Sequence, residues 1–395
     1  MLMKAVAITG VAMSRFGKHL DESLKEVAAP AILGALDDAG IEVEDVEMAF
    51  VANAMSAIIT GQASVVGQSV LRAHGFSGIP VFNVDNACAG SSSALALAGQ
   101  AVLSGAARTV LVVGVEKLFH ADREKTFRAL NGAAELDGMD LTGVDLGRES
   151  VFIKRAYPSR VSAYAEHYPL SGETLAKIAV KNREHAALNP MAQYTKPMSV
   201  GEVLASRVIV DPITALMCAP IGDGAAAAVV TTDDVARARN GRTVWLRACE
   251  VGMASRLGES TIARVAGQAY ARAGVTPADI DVAEVHDSIA FNELLAYEHL
   301  GFCDHGQGSR LVEERATALG GTLPVNPSGG LESRGHPIAA TGLAQVVELV
   351  TQLRGEAGDR QVADASVALA ENAGGYAAGD TAALAVTILS TKPGP

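Results

Sequence analysis

The chain is expected to be an α/β protein built from two similar halves packed about a pseudo-twofold axis, with a polar loop domain inserted. Three observations carry that expectation. The sequence repeats: AGIEVEDVEMA, beginning at Ala39, returns as AGVTPADIDVA beginning at Ala273, 234 residues later. Each copy then runs through a Gly/Asn-rich loop, an Ala-rich helical stretch and a continuous apolar run. Such alternation implies parallel-type sheets buried on both faces by helices. Finally, the composition turns polar between about residues 119 and 210, and an insertion of that length on a compact repeat forms a lid or a binding surface.

In chain order, VAITGVAMS from Val6 reads as a strand, and SLKEVAAPAILGALDD as a helix that Gly40 ends. NVDNACAG is a loop, SSSALALAGQAVLSG a helix and TVLVVGV a buried strand, giving a first half over 1–118 completed by 211–235. The insertion, 119–210, contains a helical stretch from Thr174 to Leu188. Its Lys177, Lys181, Arg183 and Lys196 either meet a phosphorylated ligand or form a solvated helix face. The second half, 236–395, repeats the order: WLRACEVGMAS from Trp245, STIARVAGQAYAR, the strand DVAEV, the loop NPSGGLESRGHP, the helix IAATGLAQVVELVTQLR and the strand ASVALAE. Gly274 takes the place of Gly40, and Asp279 that of Asp45.

Composition removes several function classes. With 395 residues, 49% hydrophobic, the chain can bury a large core. A net charge of −12 and only 4% aromatics argue against a nucleic-acid platform. The start lacks a secretory h-region and no run approaches the roughly 18 apolar residues of a membrane span, so a cytosolic location is expected. Cys88, Cys218, Cys249 and Cys303 are widely spaced without CxxC, which argues against a zinc cage or a disulfide framework. GDGA at Gly222–Ala225 is too short for a dinucleotide loop.

Cys88, in DNACAGSSSALAL, sits just before a helix, where free N–H groups and partial positive charge favour thiolate; it is the candidate nucleophile. His336, in SRGHPIAATG, holds the same place before the core helix of the second half, with Pro337 fitting the first helical position. A neutral imidazole there accepts a proton. In EVHDSIAF, neighbouring side chains alternate in direction, so His286, Asp287 and Ser288 do not all converge on one atom. His286 becomes a candidate oxyanion donor and Asp287 a structural residue. Asn326, Gly329 and Gly330 in NPSGG, and Asn372, Gly374 and Gly375 in ENAGGYAAGD, mark two loops whose backbone can approach a ligand. Tyr376 is a candidate acid, and Cys218, Cys249 and Cys303 read as incidental thiols.

NVDNACAGSSSAL, LAKIAVKNREHAALNP, ASRVIVDPITALMCAPIGDGAAAAVV, HDSIAFNE and NPSGGLESRGHPIAATG, in that order, resemble the landmarks of the thiolase superfamily. The resemblance is greatest to sterol-carrier-protein-type thiolases and lipid-transfer-protein thiolase homologues. It implies a five-layer αβαβα fold, a homodimer, and a loop domain over an acyl-CoA channel. It also implies no tightly bound cofactor and no metal, with a coenzyme A thioester as substrate. Cys88 would carry the acyl group, His336 would activate the thiol, and His286 with His336 would build oxyanion holes. Two departures stand out: Ser288 occupies the place of one catalytic cysteine of such enzymes, and Asn372 that of the other. A hydroxyl is a far weaker acid than a thiol. The implied activity is acyl transfer from an acyl-CoA or 3-ketoacyl-CoA through a Cys88 thioester. The alternatives are a retro-aldolase on a β-hydroxyacyl-CoA, using Tyr376 and a small OB-fold and zinc-ribbon partner, or a non-catalytic acyl-CoA or lipid-binding protein.

Overall fold

The repeat becomes two copies of one strand-helix pattern. The computed structural model describes residues 5–238, 243–255 and 259–394; Met1–Lys4, part of the start considered above, lie outside them. The first half comprises β1 (Val6–Met13), α1 (Leu24–Ala39), β2 (Met48–Ala52), β3 (Val81–Val84), α2 (Gly90–Ser104) and β4 (Thr109–Glu116). The insertion contributes α3 (Tyr157–Ala165) and α4 (Gly172–Ala187), and the chain returns as β5 (Gly224–Thr232). The second half comprises β6 (Val244–Gly252), α5 (Thr261–Ala273), β7 (Val282–Glu284), α6 (Ala290–His299), α7 (Thr341–Leu353), β8 (Val367–Ala377) and β9 (Asp380–Ser390).

The repeated Gly has a local cause. Gly40 (φ 62°) and Gly274 (φ 65°) both close their helices in the left-handed conformation, which costs glycine little. After each, an acidic side chain caps a short turn: Asp45 accepts from Glu42 N, and Asp279 from Thr276 N.

The strands form one ladder, β3-β2-β4-β5-β1-β6-β9-β8-β7. The halves meet at a short antiparallel junction, where Val6–Ile8 of β1 pair with Val244–Leu246 of β6. Pairing is parallel only for β3-β2-β4 and β8-β7; the rest is antiparallel, which corrects the expectation of parallel-type sheets. The reason is connectivity: β5 enters from the insertion in the opposite direction, and β8 and β9 form a hairpin.

Alternation along the strands separates the layers. Val110 and Val112 face α2 and α7, whereas Leu111, Val113 and Val115 face α1. In the second half Ala368 and Ala370 face the same central helices, while Leu369 belongs with α5 and α6. The result is helix, sheet, central helix pair, sheet, helix. No helix among the described residues is long and apolar enough to cross a membrane.

Candidate functional site

The two central helices start side by side, each preceded by a one-turn 3-10 segment, Ala87–Ala89 before α2 and Ile338–Ala340 before α7. Cys88 therefore sits on a tight turn rather than at an α-helical N-terminus. Ala87, immediately before it, is held at φ 49°, a strained conformation for a side-chain-bearing residue that tightly packed surroundings must impose. Gly374 supplies part of that packing: a methyl group there would lie 2.3 Å from Asn86 O and 2.6 Å from Ala89 N. Pro337 is extended, at φ −74° and ψ 94°, and so does not take the helical position expected of it.

Cys88 Sγ lies 3.4 Å from His336 Nε2, and the His286 and His336 rings stand edge to face with centroids 5.1 Å apart. Hydrogen bonds behind the rings assign opposite tautomers. His336 Nδ1 is 2.8 Å from Thr341 Oγ1, and that hydroxyl is directed at Pro337 O. With the Thr341 hydrogen on that carbonyl, 3.4 Å away, Thr341 would accept from Nδ1–H and leave the lone pair of His336 Nε2 toward the thiol. Asn372 works the other way. Its Oδ1 accepts from Ser92 Oγ at 2.9 Å, so its Nδ2 donates to His286 Nδ1 at 3.2 Å. His286 is thereby left with an Nε2–H. One ring offers a base and the other a donor.

Burial sets the protonation. It pushes the Cys88 thiol up to about 12 and the His336 imidazole down to about 3, and it takes His286 well below its usual range. The sequence-based expectation of a thiolate is overturned: desolvation outweighs what the start of the helix offers, and the resting pair is neutral thiol and neutral imidazole. The ligand atoms of Cys88, His286 and His336 lie within 4.8 Å of one another, a donor set that zinc also takes, which cysteine spacing did not foretell.

Two buried glutamates hold the loops that carry these groups. Glu116, ending β4, accepts from Ala54 N, Met55 N and Ala339 N, and burial raises its pKa to about 8. Glu371, near the matching place on β8, accepts from His286 N at 2.8 Å, and burial raises it to about 7.

A cavity of about 600 Å³ opens beside Cys88. His286, Ser288, His336, Gly375 and Tyr376 line it, as do Tyr157 and Arg160 of α3 and Arg183 of α4. His286 and Ser288 share the cavity face, while Asp287 points away and accepts from Asn182 Nδ2 and Leu331 N. Ser288 Oγ accepts from Tyr157 OH at 3.0 Å and from Asn292 Nδ2 at 2.8 Å.

Other expected residues fall elsewhere. Asn326, Gly329 and Gly330 do not line the cavity. Asn326 is buried, gripping Val285 N and the Glu293 carboxylate; Gly329 lets the chain pass Ala186, and Gly330 makes room for Asp287. Asn372 and Gly374 act behind the site, on His286 and on the Cys88 turn. Of the insertion's cations, Lys181 is buried against Glu293 and Lys177 pairs with Glu173 and Glu313. Cys218, read as incidental, lines the cavity. Tyr157, Glu116 and Glu371 were missed. The glutamates did leave a signal, each as the charge closing a continuous apolar run, TVLVVGVE and ASVALAE.

The site can be set beside known proteins. Residues 6–234 match the model of the thiolase N-terminal domain, and residues 247–390 match that of the thiolase C-terminal domain-like family. An acetyl-CoA acetyltransferase of Methanothermobacter thermautotrophicus is 36% identical over 391 residues, covering 97% of this chain and 99% of that protein. Sterol carrier protein 2 of Rattus norvegicus is 36% identical, covering 93% of this chain and 70% of its own length. Among solved structures, the Ltp2-ChsH2(DUF35) aldolase superposes with a TM-score of 0.78 at 24% identity, covering 97% of each chain. The Acat5 thiolase from Ascaris suum in complex with coenzyme A does so at 0.69 and 17%, covering 98% of this chain and 100% of that one. The paired helix starts, the five layers and matches across both halves agree: the chain belongs to the thiolase family.

Proposed function

We propose that this protein is a thiolase-type acyltransferase that takes an acyl group from coenzyme A onto Cys88. The observation that carries the reading is the Cys88 Sγ to His336 Nε2 contact of 3.4 Å, with the His336 lone pair facing the thiol. Because the thiol rests neutral, its proton passes to His336 as Sγ attacks the thioester carbonyl. Negative charge gathers on the carbonyl oxygen and is met by the Nε2–H of His286. Collapse breaks the carbon–sulfur bond, and the departing coenzyme A sulfur recovers the proton from His336. A second acceptor then reverses the sequence on the acyl-Cys88 thioester. The substrate is a coenzyme A thioester and no tightly bound cofactor is required.

Intact-mass measurement after mixing with acyl-CoAs of several lengths tests the first step. An acyl adduct on the wild type that is absent from Cys88→Ala is expected; no adduct with any thioester would overturn it.

A second reading is carbon–carbon cleavage of a β-hydroxyacyl-CoA, favoured by the hydroxyls of Tyr157 and Tyr376 on a cavity whose residue 288 is a serine. If Tyr376→Phe and Tyr157→Phe both left such cleavage unchanged, that reading would fall. The aldolase named above is a two-component assembly, and co-purification would show whether this chain also takes a partner. Self-association is supported by the unpaired sheet edge at β3, where Phe82 is 49% exposed; light scattering on the purified chain measures it.

A further inference from the structure

The cavity also carries polar atoms that neither the fold nor the transfer step uses. Ser288 Oγ already accepts two hydrogen bonds, from Tyr157 and Asn292, so its remaining capacity is its own hydrogen. Beside it, Asn292 Oδ1 is buried and has no partner among the described residues. Glu332 lines the same cavity at 2% exposure, and apart from Asn182, which is directed at its carboxyl, its oxygens have no partner among the described residues. Ser288, Asn292 and Glu332 thus line one cavity, the first two joined by their hydrogen bond.

Three of the nearby cations have partners, and Arg207 is a further cation on the cavity lining. Lys181 pairs with Glu293, Arg334 pairs with Glu284, and Arg183 gives Nε to Ser333 while stacking on Tyr194. Burial first, then the Asp287 and Glu293 carboxyls, hold Glu332 well above the usual carboxylate range, against the pull of Lys181 and Asn182.

Buried polar atoms without partners are costly, and a site that keeps them is completed by a ligand that pairs them. A ligand hydroxyl matches both kinds of group: it accepts from Ser288 O–H and donates to Asn292 Oδ1 or the Glu332 carboxyl. A ketone only accepts, and a methylene does neither. We infer that Ser288, Asn292 and Glu332 form a hydroxyl-recognising subsite, and that the acyl group this cavity selects is a hydroxyacyl chain. The inference rests on the proposed use of coenzyme A thioesters and names their class.

Binding of non-cleavable coenzyme A thioethers tests it on the wild-type chain without acylation. The probes share one chain length and carry a methylene, a ketone or a hydroxyl, the last two at carbon 3, 5 or 7. For one position the hydroxyl is expected to bind at least about tenfold more tightly than the ketone and the methylene, because pairing otherwise orphaned groups discriminates strongly. Glu332→Leu and Asn292→Leu should each pull that ratio toward one while thermal denaturation shows the fold retained. Equal binding of all probes, or a ratio unmoved by both substitutions, would overturn the subsite. Failure of the transfer reading looks different: no Cys88 adduct forms with any acyl-CoA, while the hydroxyl preference persists.

Discussion

The starts of α2 and α7 are the same device used twice for opposite chemical ends. Each follows a 3-10 turn, and each lies under a strand that ends in or near a buried glutamate, Glu116 in one half and Glu371 in the other. Glu116 gathers backbone N–H groups from its own half and also from Ala339 of the other, so one carboxyl ties the two starts together. Glu371 grips His286 alone. On this common frame one half presents a thiol and the other an imidazole, and the contact between them joins residues 248 apart in sequence. Symmetry of backbone brings the groups together, and asymmetry of side chains sets a thiol against an imidazole.

Breaking the pair should have the largest effect. His336→Ala removes the base and is expected to slow acylation of Cys88 by roughly 100- to 10,000-fold, read by quenched intact-mass time courses. Gly374→Ala attacks the Cys88 turn instead, since a methyl there meets Asn86 and Ala89 backbone; roughly 1–3 kcal/mol of stability should be lost, measured by urea unfolding. Orientation comes next. Asn372→Leu frees His286 from its tautomer, and a loss of about 100-fold in acylation is expected, the scale of one lost oxyanion donor. Thr341→Val removes only the support behind His336 and should cost about tenfold.

Titration gives the smallest effects and the sharpest sign. A thiolate mechanism would accelerate as pH rises through the ordinary thiol range. A neutral pair, with the thiol near 12 and His336 near 3, keeps the acylation rate flat from about pH 5 to pH 9. Glu116 acts on stability. Its folded pKa of about 8 lies above the ordinary 4.5, so its contribution is full below about 4.5 and is lost as pH rises through about 8. Glu116→Gln should flatten the fall in melting temperature over that window; an unchanged slope would assign the pH dependence to other groups.

The repeat, the layer order and both helix starts were legible because each rests on a local rule: apolar periodicity, a left-handed glycine after a helix, small residues where chains approach. Cys88 and His336 were legible as candidates for the same reason, standing at matching points of a repeated pattern, and His286 as a histidine following a strand. What sequence spacing does not encode is which side chain a packed neighbour consumes. Asn326 and Asn372 looked alike, each in a Gly-rich loop after a strand, yet Asn326 is spent on Glu293 and Val285 N while Asn372 sets the tautomer of His286. Tyr157 reaches the cavity because the insertion folds back over it, and Cys218 because the chain returning from the insertion bridges Ile289, next to Ser288. The protonation state of Cys88 turned on desolvation, a property of the whole surrounding core. The sequence alone thus determined the family and the frame and singled out the candidate reacting groups; only the tertiary structure decided which partners those groups keep and which charges they carry, because burial and long-range hydrogen bonds exist only once the two halves have closed on each other.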